Sequence, residues 1–327
     1  MHSLNKKTQA TSRWSTIQAW FVGLLLISGL IVVVTHYSEI EHLVQLLQQA
    51  EPLWLILALV FQSFTYFSVA EVWHQALRVG GLPYPFLSLV PLGVAKLFSD
   101  QAVPSGGMSG TAFFVAALRR RGISTHLCMA TMLVSLVAYY AAYFIVAITS
   151  ILLLWFYHKI NVWIISVTFV FCLVAVAIPV GALVLRHIGK KGLPAWLLRI
   201  PGLKDLLHAF SDAPVELVRN PVLIMIATLL HGSIFILDSA TLWVMLQAVG
   251  QHVSFWVALP SFVLASIVAT LGPIPLGLGT FETTCVAMLG VLGIPIEAAL
   301  TATLLLRGFT LWIPMIPGLW WAKRELK

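Results

Sequence analysis

Two stretches of this sequence interrupt a membrane-type hydrophobicity in the same way. The first reads Val103-Pro104-Ser105-Gly106-Gly107-Met108-Ser109-Gly110-Thr111, and the second Ile274-Pro275-Leu276-Gly277-Leu278-Gly279-Thr280-Phe281-Glu282. Proline cannot donate a backbone N–H, and glycine adopts backbone angles that other residues avoid. Each cluster therefore ends one helix and starts another within or near the bilayer. Helices broken at corresponding places in two halves of a chain point to a transporter's binding site.

Composition supports the membrane setting. Only 9% of the 327 residues are charged and 60% are hydrophobic, whereas soluble domains average about 25% charged residues. A soluble fold is excluded. Twelve Trp and seven Tyr suit belts at two membrane–water interfaces. Cys128, Cys172 and Cys285 sit far apart inside apolar runs without a CxxC or Cys/His pattern, and read as small buried hydrophobes. No HExxH spacing and no GxxxxGK[ST] loop is present, so neither a metal site nor a P-loop ATPase is expected.

Apolar runs of about 20 residues mark spanning helices. They fall at roughly 17–34, 52–72, 127–156, 162–185, 221–247 and 297–319. The stretches 86–118 and 254–293 carry the breaks and read as re-entrant helical hairpins. Pro52 and Pro221 stand at helix starts, where the missing N–H costs nothing, and Asn220 is a good N-cap. With the N-terminus in the cytoplasm, sixteen of the nineteen Lys and Arg fall inside, among them Arg78, Arg119-Arg120-Arg121 and the basic stretch between Arg186 and Arg219. Full spans in place of the hairpins would split those clusters, against the positive-inside rule. Both termini are then cytoplasmic, and the first apolar run reads as a retained helix because no small-x-small cleavage site follows Val34.

The two halves also align. Glu71-Val72-Trp73 to Val79-Gly80 matches Thr241-Leu242-Trp243 to Val249-Gly250 at an offset of 170, and Pro104, Gly106, Gly122 and Ile123 match Pro275, Gly277, Gly293 and Ile294 at 171. Three crossings separate the starts of the two copies, so they run in opposite directions through the membrane. The expected fold is an all-α integral membrane domain, residues 1–327, with about six spanning helices, two re-entrant helical hairpins and an inverted-topology internal repeat. Repeat 1 covers about 52–185 and repeat 2 about 221–319; residues 186–220 form a cytoplasmic basic linker.

At Pro275-Leu-Gly-Leu-Gly-Thr-Phe-Glu282, followed by Leu292-Gly293-Ile294-Pro295 and Leu306-Arg307, the sequence resembles the lysylphosphatidylglycerol synthase/flippase-like transmembrane family. Its C-terminal signature is a Pro-x-Gly-x-Gly-x-x-Glu loop, a Leu-Gly-small-apolar step and an Arg on the last helix. Pro104-Ser-Gly-Gly-Met-Ser-Gly110 with Arg119-Arg120-Arg121-Gly122-Ile123-Ser124 looks like a variant of the family's other signature. The resemblance runs from about residue 15 to 322. It implies the membrane half, which in relatives moves lipids between leaflets. The stretch ending at Lys327 carries no soluble aminoacyl-transferring domain, so lysyl transfer is not expected of it. Thr111 stands where the second loop has Glu282, so the two loops are not chemically equivalent.

Charges at membrane depth are costly and are functional candidates by default. They are Glu71, Lys96, Asp100, Asp238, Glu282 and Arg307. Glu282 lies in the first turn after the Gly277/Gly279 break, as a capping carboxylate or as part of a transport site. Arg307 must face a carboxylate, a phosphate or water: it pairs with Glu282 or Asp238, or grips a lipid phosphate. Asp238 reads as Arg307's partner or as a proton-coupling carboxylate. Lys96 and Asp100, one turn apart, form an intrahelical pair or line the first break. Glu71 snorkels toward the interface. Pro104, Gly106, Gly107, Pro275, Gly277 and Gly279 would shape the substrate path, while Ser99, Ser105, Ser109, Thr111 and Thr280 mostly satisfy freed backbone groups. The Arg119–Arg121 triplet fixes topology or attracts anionic headgroups, and 196–210 reads as a surface-lying amphipathic segment.

These readings combine into a lipid flippase-like transporter of a bacterial inner membrane, not an enzyme and without a cofactor. It would move a phosphate-bearing or otherwise anionic lipid through a cleft between two re-entrant loops. An ion-coupled small-solute transporter and a membrane partner of a lipid or glycolipid biosynthetic enzyme are the competing expectations.

Overall fold

A computed structural model describes residues 51–102, 108–188, 215–272 and 277–326, which form helices and short turns with no strand among them. The helices are α1 (Pro52–Val79), α2 (Val90–Ala102), α3 (Met108–Arg120), α4 (Thr125–Phe156), α5 (Val162–Ile188), α6 (Val215–Arg219), α7 (Pro221–Ala248), α8 (Phe255–Leu271), α9 (Thr280–Val291), α10 (Ile296–Arg307) and α11 (Ile313–Leu326).

Five helical stretches are long and apolar enough to cross a bilayer: Pro52–Val79, Thr125–Phe156, Val162–Val184, Pro221–Ala248 and Ile296–Glu325. They coincide with five of the six expected spans. The sixth, at 17–34, lies outside the described residues, as do residues 189–214 of the 186–220 linker, its 196–210 segment included. Local chemistry sets the boundaries. Pro221 stands at the start of α7, and Asn220 Oδ1 accepts the Leu223 N–H at 3.1 Å. Ser124 caps α4 by accepting from Leu127. Gly80 ends α1 several residues later than the apolar run suggested, because Glu71, His74 and Gln75 continue the helix. Glu71 does not reach out alone; its carboxylate accepts a hydrogen bond from Gln75 one turn on.

The break-bearing stretches each give two short helices: α2 and α3 of 13 residues each, and α8 and α9 of 17 and 12. At 1.5 Å per residue, none reaches the roughly 30 Å of a hydrocarbon core. α2 packs against α3, and α8 against α9.

α1 and α7 form the largest contact in the fold. The pairs Trp54–Trp243 (ring centroids 6.3 Å apart), Gln62–Asp238 (2.9 Å) and Ser68–Ser233 (3.0 Å) rise along α1 as they fall along α7. The two helices are therefore antiparallel. α2 packs on α11 and α8 on α4, while α4 also lies along α7. Large apolar side chains left on the outside, such as Leu53, Ile56, Phe64, Val162, Phe169, Leu173, Met225 and Leu229, form the surface that a bilayer's acyl chains would cover.

One departure from the expected pattern falls in the last span. Between α10 and α11, residues Gly308–Trp312 form a π-helical turn directly after Arg307. Such turns arise from one extra residue in a helix and gather at functional positions. Neither periodicity nor composition marks it.

Candidate functional site

The second break is built on two glycines with left-handed backbone angles, Gly277 at φ 62° and Gly279 at φ 79°. That region costs other residues about 1–2 kcal/mol, so glycine is required there. The turn they make places Gly279 immediately before α9. Gly279 N–H donates to Glu282 Oε2 at 2.7 Å, so a carboxylate three residues on covers a free N-terminal amide of the helix. Thr280 Oγ1 donates to the Gly277 carbonyl at 3.0 Å. The other oxygen of Glu282 takes the Nε–H of Arg307 at 2.6 Å. The Arg307 guanidinium also lies over the Phe281 ring, 5.1 Å from its centroid. The Arg307 and Glu282 side chains retain only 12% and 17% of their accessibility. The last span is thereby tied to the tip of the α8–α9 pair.

The first break reaches the same arrangement from different positions. Lys96 Nζ lies 2.7 Å from Asp100 Oδ2 within α2. Asp100 Oδ1 accepts the Gly110 N–H at 2.8 Å, across the break and in the first turn of α3. Gly110 is needed for this approach, since a Cβ there would collide with the Asp100 carboxyl. Ser109 Oγ donates to the Ser99 carbonyl at 2.9 Å, a second tie across the break. So each half-helix after a break begins with an amide held by a carboxylate, and each carboxylate is bonded to a cation. The sequence comparison set Thr111 against Glu282 and found no equivalent. The equivalent is Asp100, supplied by the helix before the break and therefore invisible to an alignment of the loops.

The remaining candidates divide. Asp238 does not pair with Arg307 among the described contacts; Gln62 Nε2 donates to its Oδ1 at 2.9 Å and to Thr241 Oγ1 at 2.9 Å. Pro104, Gly106, Gly107 and Pro275 lie outside the described residues, as does Ser105. Two features escaped the sequence reading altogether, and a third was read only in part. Gln62 was passed over as one amide in an apolar run, though a buried amide there needs polar partners. His231, 5% exposed, meets Ser135 Oγ at 3.1 Å from its Nε2. Arg121 of the basic triplet is not simply a topology charge: it bonds Glu325, and the Ser88 carbonyl at 3.0 Å. Arg120 also donates to the Glu325 carbonyl, at 3.3 Å. That clamp gathers the ends of α3 and α11 and the turn before α2 at one end of the molecule.

No group of three or more His, Cys, Asp or Glu that could hold a metal ion occurs among the described residues. No curated protein matches the chain closely enough to serve as a relative. A family model does match, over residues 20–318, and it describes a lysylphosphatidylglycerol synthase TM region. This multi-pass membrane chain, with its apolar spans and its two capped half-helices, belongs to that family.

Proposed function

We propose that the protein moves a phosphate-bearing or otherwise anionic lipid between leaflets, through a cleft between two re-entrant hairpins. The observation that carries this reading is the pair of carboxylate-capped half-helices. A helix N-terminus with free amides and a nearby cation is a ready anion site. Here Asp100 and Glu282 occupy the two sites, bonded to Lys96 and Arg307. A lipid phosphate entering the cleft exchanges with Glu282, taking the Gly279 amide and a bidentate grip from Arg307. The displaced carboxylate turns to water in the cleft, and the acyl tails stay in the bilayer. Because the resting site is already neutralised, the headgroup meets a low barrier on entry and on exit.

The inverted repeat supports the same reading. The antiparallel course of α1 and α7 is what two oppositely inserted copies require. Under the offset of 170, Ser68 corresponds to Asp238 and Ser63 to Ser233, so the contacts Ser68–Ser233 and Gln62–Asp238 are near-images of each other. Each hairpin's first arm packs on the span that follows the other hairpin, α2 on α11 and α8 on α4. On this reading the α2–α3 pair enters from the cytoplasm and the α8–α9 pair from the opposite side of a bacterial inner membrane, with both termini cytoplasmic. No covalent chemistry is assigned to the chain, and its substrate is a membrane lipid. Association with a lipid-biosynthetic enzyme that supplies or consumes that lipid fits this role.

The test is transbilayer movement of labelled lipids in liposomes containing the purified protein, across anionic and neutral headgroups. Headgroup-selective movement that Glu282→Gln and Arg307→Ala abolish, at equal amounts of folded protein, is the expected result. Movement of no lipid by the wild type, or full movement by both variants, overturns the proposal.

A further inference from the structure

The proposed lipid path leaves two of the candidate acids unused, Glu71, which lies toward the end of α1 and is bonded to Gln75, and Asp238 in the middle of α7. Lys96 neutralises Asp100 and Arg307 neutralises Glu282, but Asp238 is bonded to the uncharged amide of Gln62. Among the described residues no cation pairs with it. A carboxylate without a counter-ion at membrane depth is expensive, and taking up a proton removes the cost.

The surroundings of Asp238 suit proton traffic. Tyr66 stands one turn after Gln62 on α1, and the Tyr139 ring of α4 packs on Phe235, one turn before Asp238 on α7, with centroids 5.6 Å apart. From the other helices against α7, α8 brings no titratable side chain, while α10 brings Arg307, engaged with Glu282, and Glu297 in its first turn. Glu216 and Arg219 of α6 lie beyond the start of α7. Two helical turns before Asp238, and so on the same face of α7, stands His231. It is buried, its ring meets Tyr139 edge-on with centroids 5.6 Å apart, and its Nε2 reaches Ser135. Its Nδ1 has no hydrogen-bond partner among the described residues. A histidine, a tyrosine and a carboxylate thus stand together along the middle of α7.

We infer that Asp238 is a proton-coupling site, supplied along α7 by way of His231 and Tyr139, and that its loading is tied to lipid movement. The inference rests on the transport reading above. In the loading step protonated His231 gives up an N–H proton and becomes neutral imidazole, and the proton, relayed through the Tyr139 hydroxyl, forms an O–H bond on the free oxygen of Asp238, giving a neutral acid. On release that O–H bond breaks, and the proton departs toward the opposite side once the headgroup has moved. Only protons transfer; nothing is oxidised or reduced.

The experiment uses the whole protein in liposomes with labelled phosphatidylglycerol, a pH gradient across the membrane and the voltage clamped. With one proton per lipid, a gradient of one unit shifts the steady-state leaflet ratio about tenfold in the wild type. Asp238→Asn loses that shift, whereas Asp238→Glu, which keeps the carboxyl, retains it. A wild-type ratio that ignores the pH gradient, or follows a sodium gradient instead, overturns the inference while leaving lipid transport standing. So does an Asp238→Asn variant with the full shift. If the wild type moves no lipid, the transport reading fails, and the infrared carboxylic-acid band judges the proton site alone. A band that grows as pH falls and is absent from Asp238→Asn upholds the site; identical spectra for the two proteins remove it.

Discussion

Gly279 and Arg307 show how much of the second loop depends on single groups. Gly279 combines a left-handed backbone with an amide aimed at Glu282, so Gly279→Ala adds strain and disturbs the cap together. The expected cost is about 1–2 kcal/mol, the penalty of a side chain in that conformation, read as a lowered unfolding midpoint in detergent. The Glu282–Arg307 pair makes a sharper prediction. Removing either partner leaves a charge with little solvent, a loss on the order of 2–3 kcal/mol. The double variant Glu282→Gln/Arg307→Ala leaves neither charge behind and should be clearly more stable than the sum of the single losses predicts. Strict additivity in such a double-mutant cycle would mean that the pair contributes nothing through mutual contact.

Whole helices carry information that single residues do not, and here the limits of the sequence are easiest to see. The five described spans were legible because a run of apolar residues must be helical to satisfy its backbone in lipid. The breaks were legible because Pro and Gly act locally. The partner of each buried charge was less so. Lys96–Asp100 follows from a spacing of four, and Glu282–Arg307 was one of three readings left open. The cap that Asp100 places on α3 and the bond between Gln62 and Asp238 depend on how separate helices meet, which no window of sequence records. The π turn at Gly308–Trp312 is another case, because it hides inside a normal apolar pattern. It rotates α11 relative to α10, letting Arg307 face Glu282 while Glu325 faces Arg121 at the far end. Deleting Gly308 restores a regular helix and turns α11 by about 100°, one residue of a 3.6-residue turn. The expected outcome is a folded protein that has lost the Arg121–Glu325 clamp and its transport. Unchanged transport after the deletion would show that the turn is only a packing irregularity.

At the scale of the molecule, the antiparallel pairing of α1 and α7 demands that their corresponding ends lie on opposite faces of the membrane. Trp54 and Trp243 mark one face, and the Arg121–Glu325 clamp marks the other. Cysteine cross-linking tests the pairing directly, since Ser68 and Ser233 have their hydroxyls 3.0 Å apart. In a background lacking the three native cysteines, Ser68→Cys with Ser233→Cys should form a disulfide on mild oxidation, and Ser63→Cys with Ser233→Cys should not. Sidedness then follows from labelling. The positive-inside rule predicts that Arg78 and Lys323 face the cytoplasm. Lys159, in the turn after α4, and Gln251, in the turn after α7, are then expected on the opposite face. An impermeant thiol reagent added outside intact cells should modify Lys159→Cys and Gln251→Cys but reach Arg78→Cys and Lys323→Cys only after permeabilisation. In the proposed repeat the two outer positions fall in different copies, one after the span that follows the hairpin and one after the first span. Labelling both from the same side is what opposed insertion requires. Copies inserted in the same direction would instead place Lys159 and Gln251 on opposite faces, and the two capped half-helices could then no longer face one another across a single cleft.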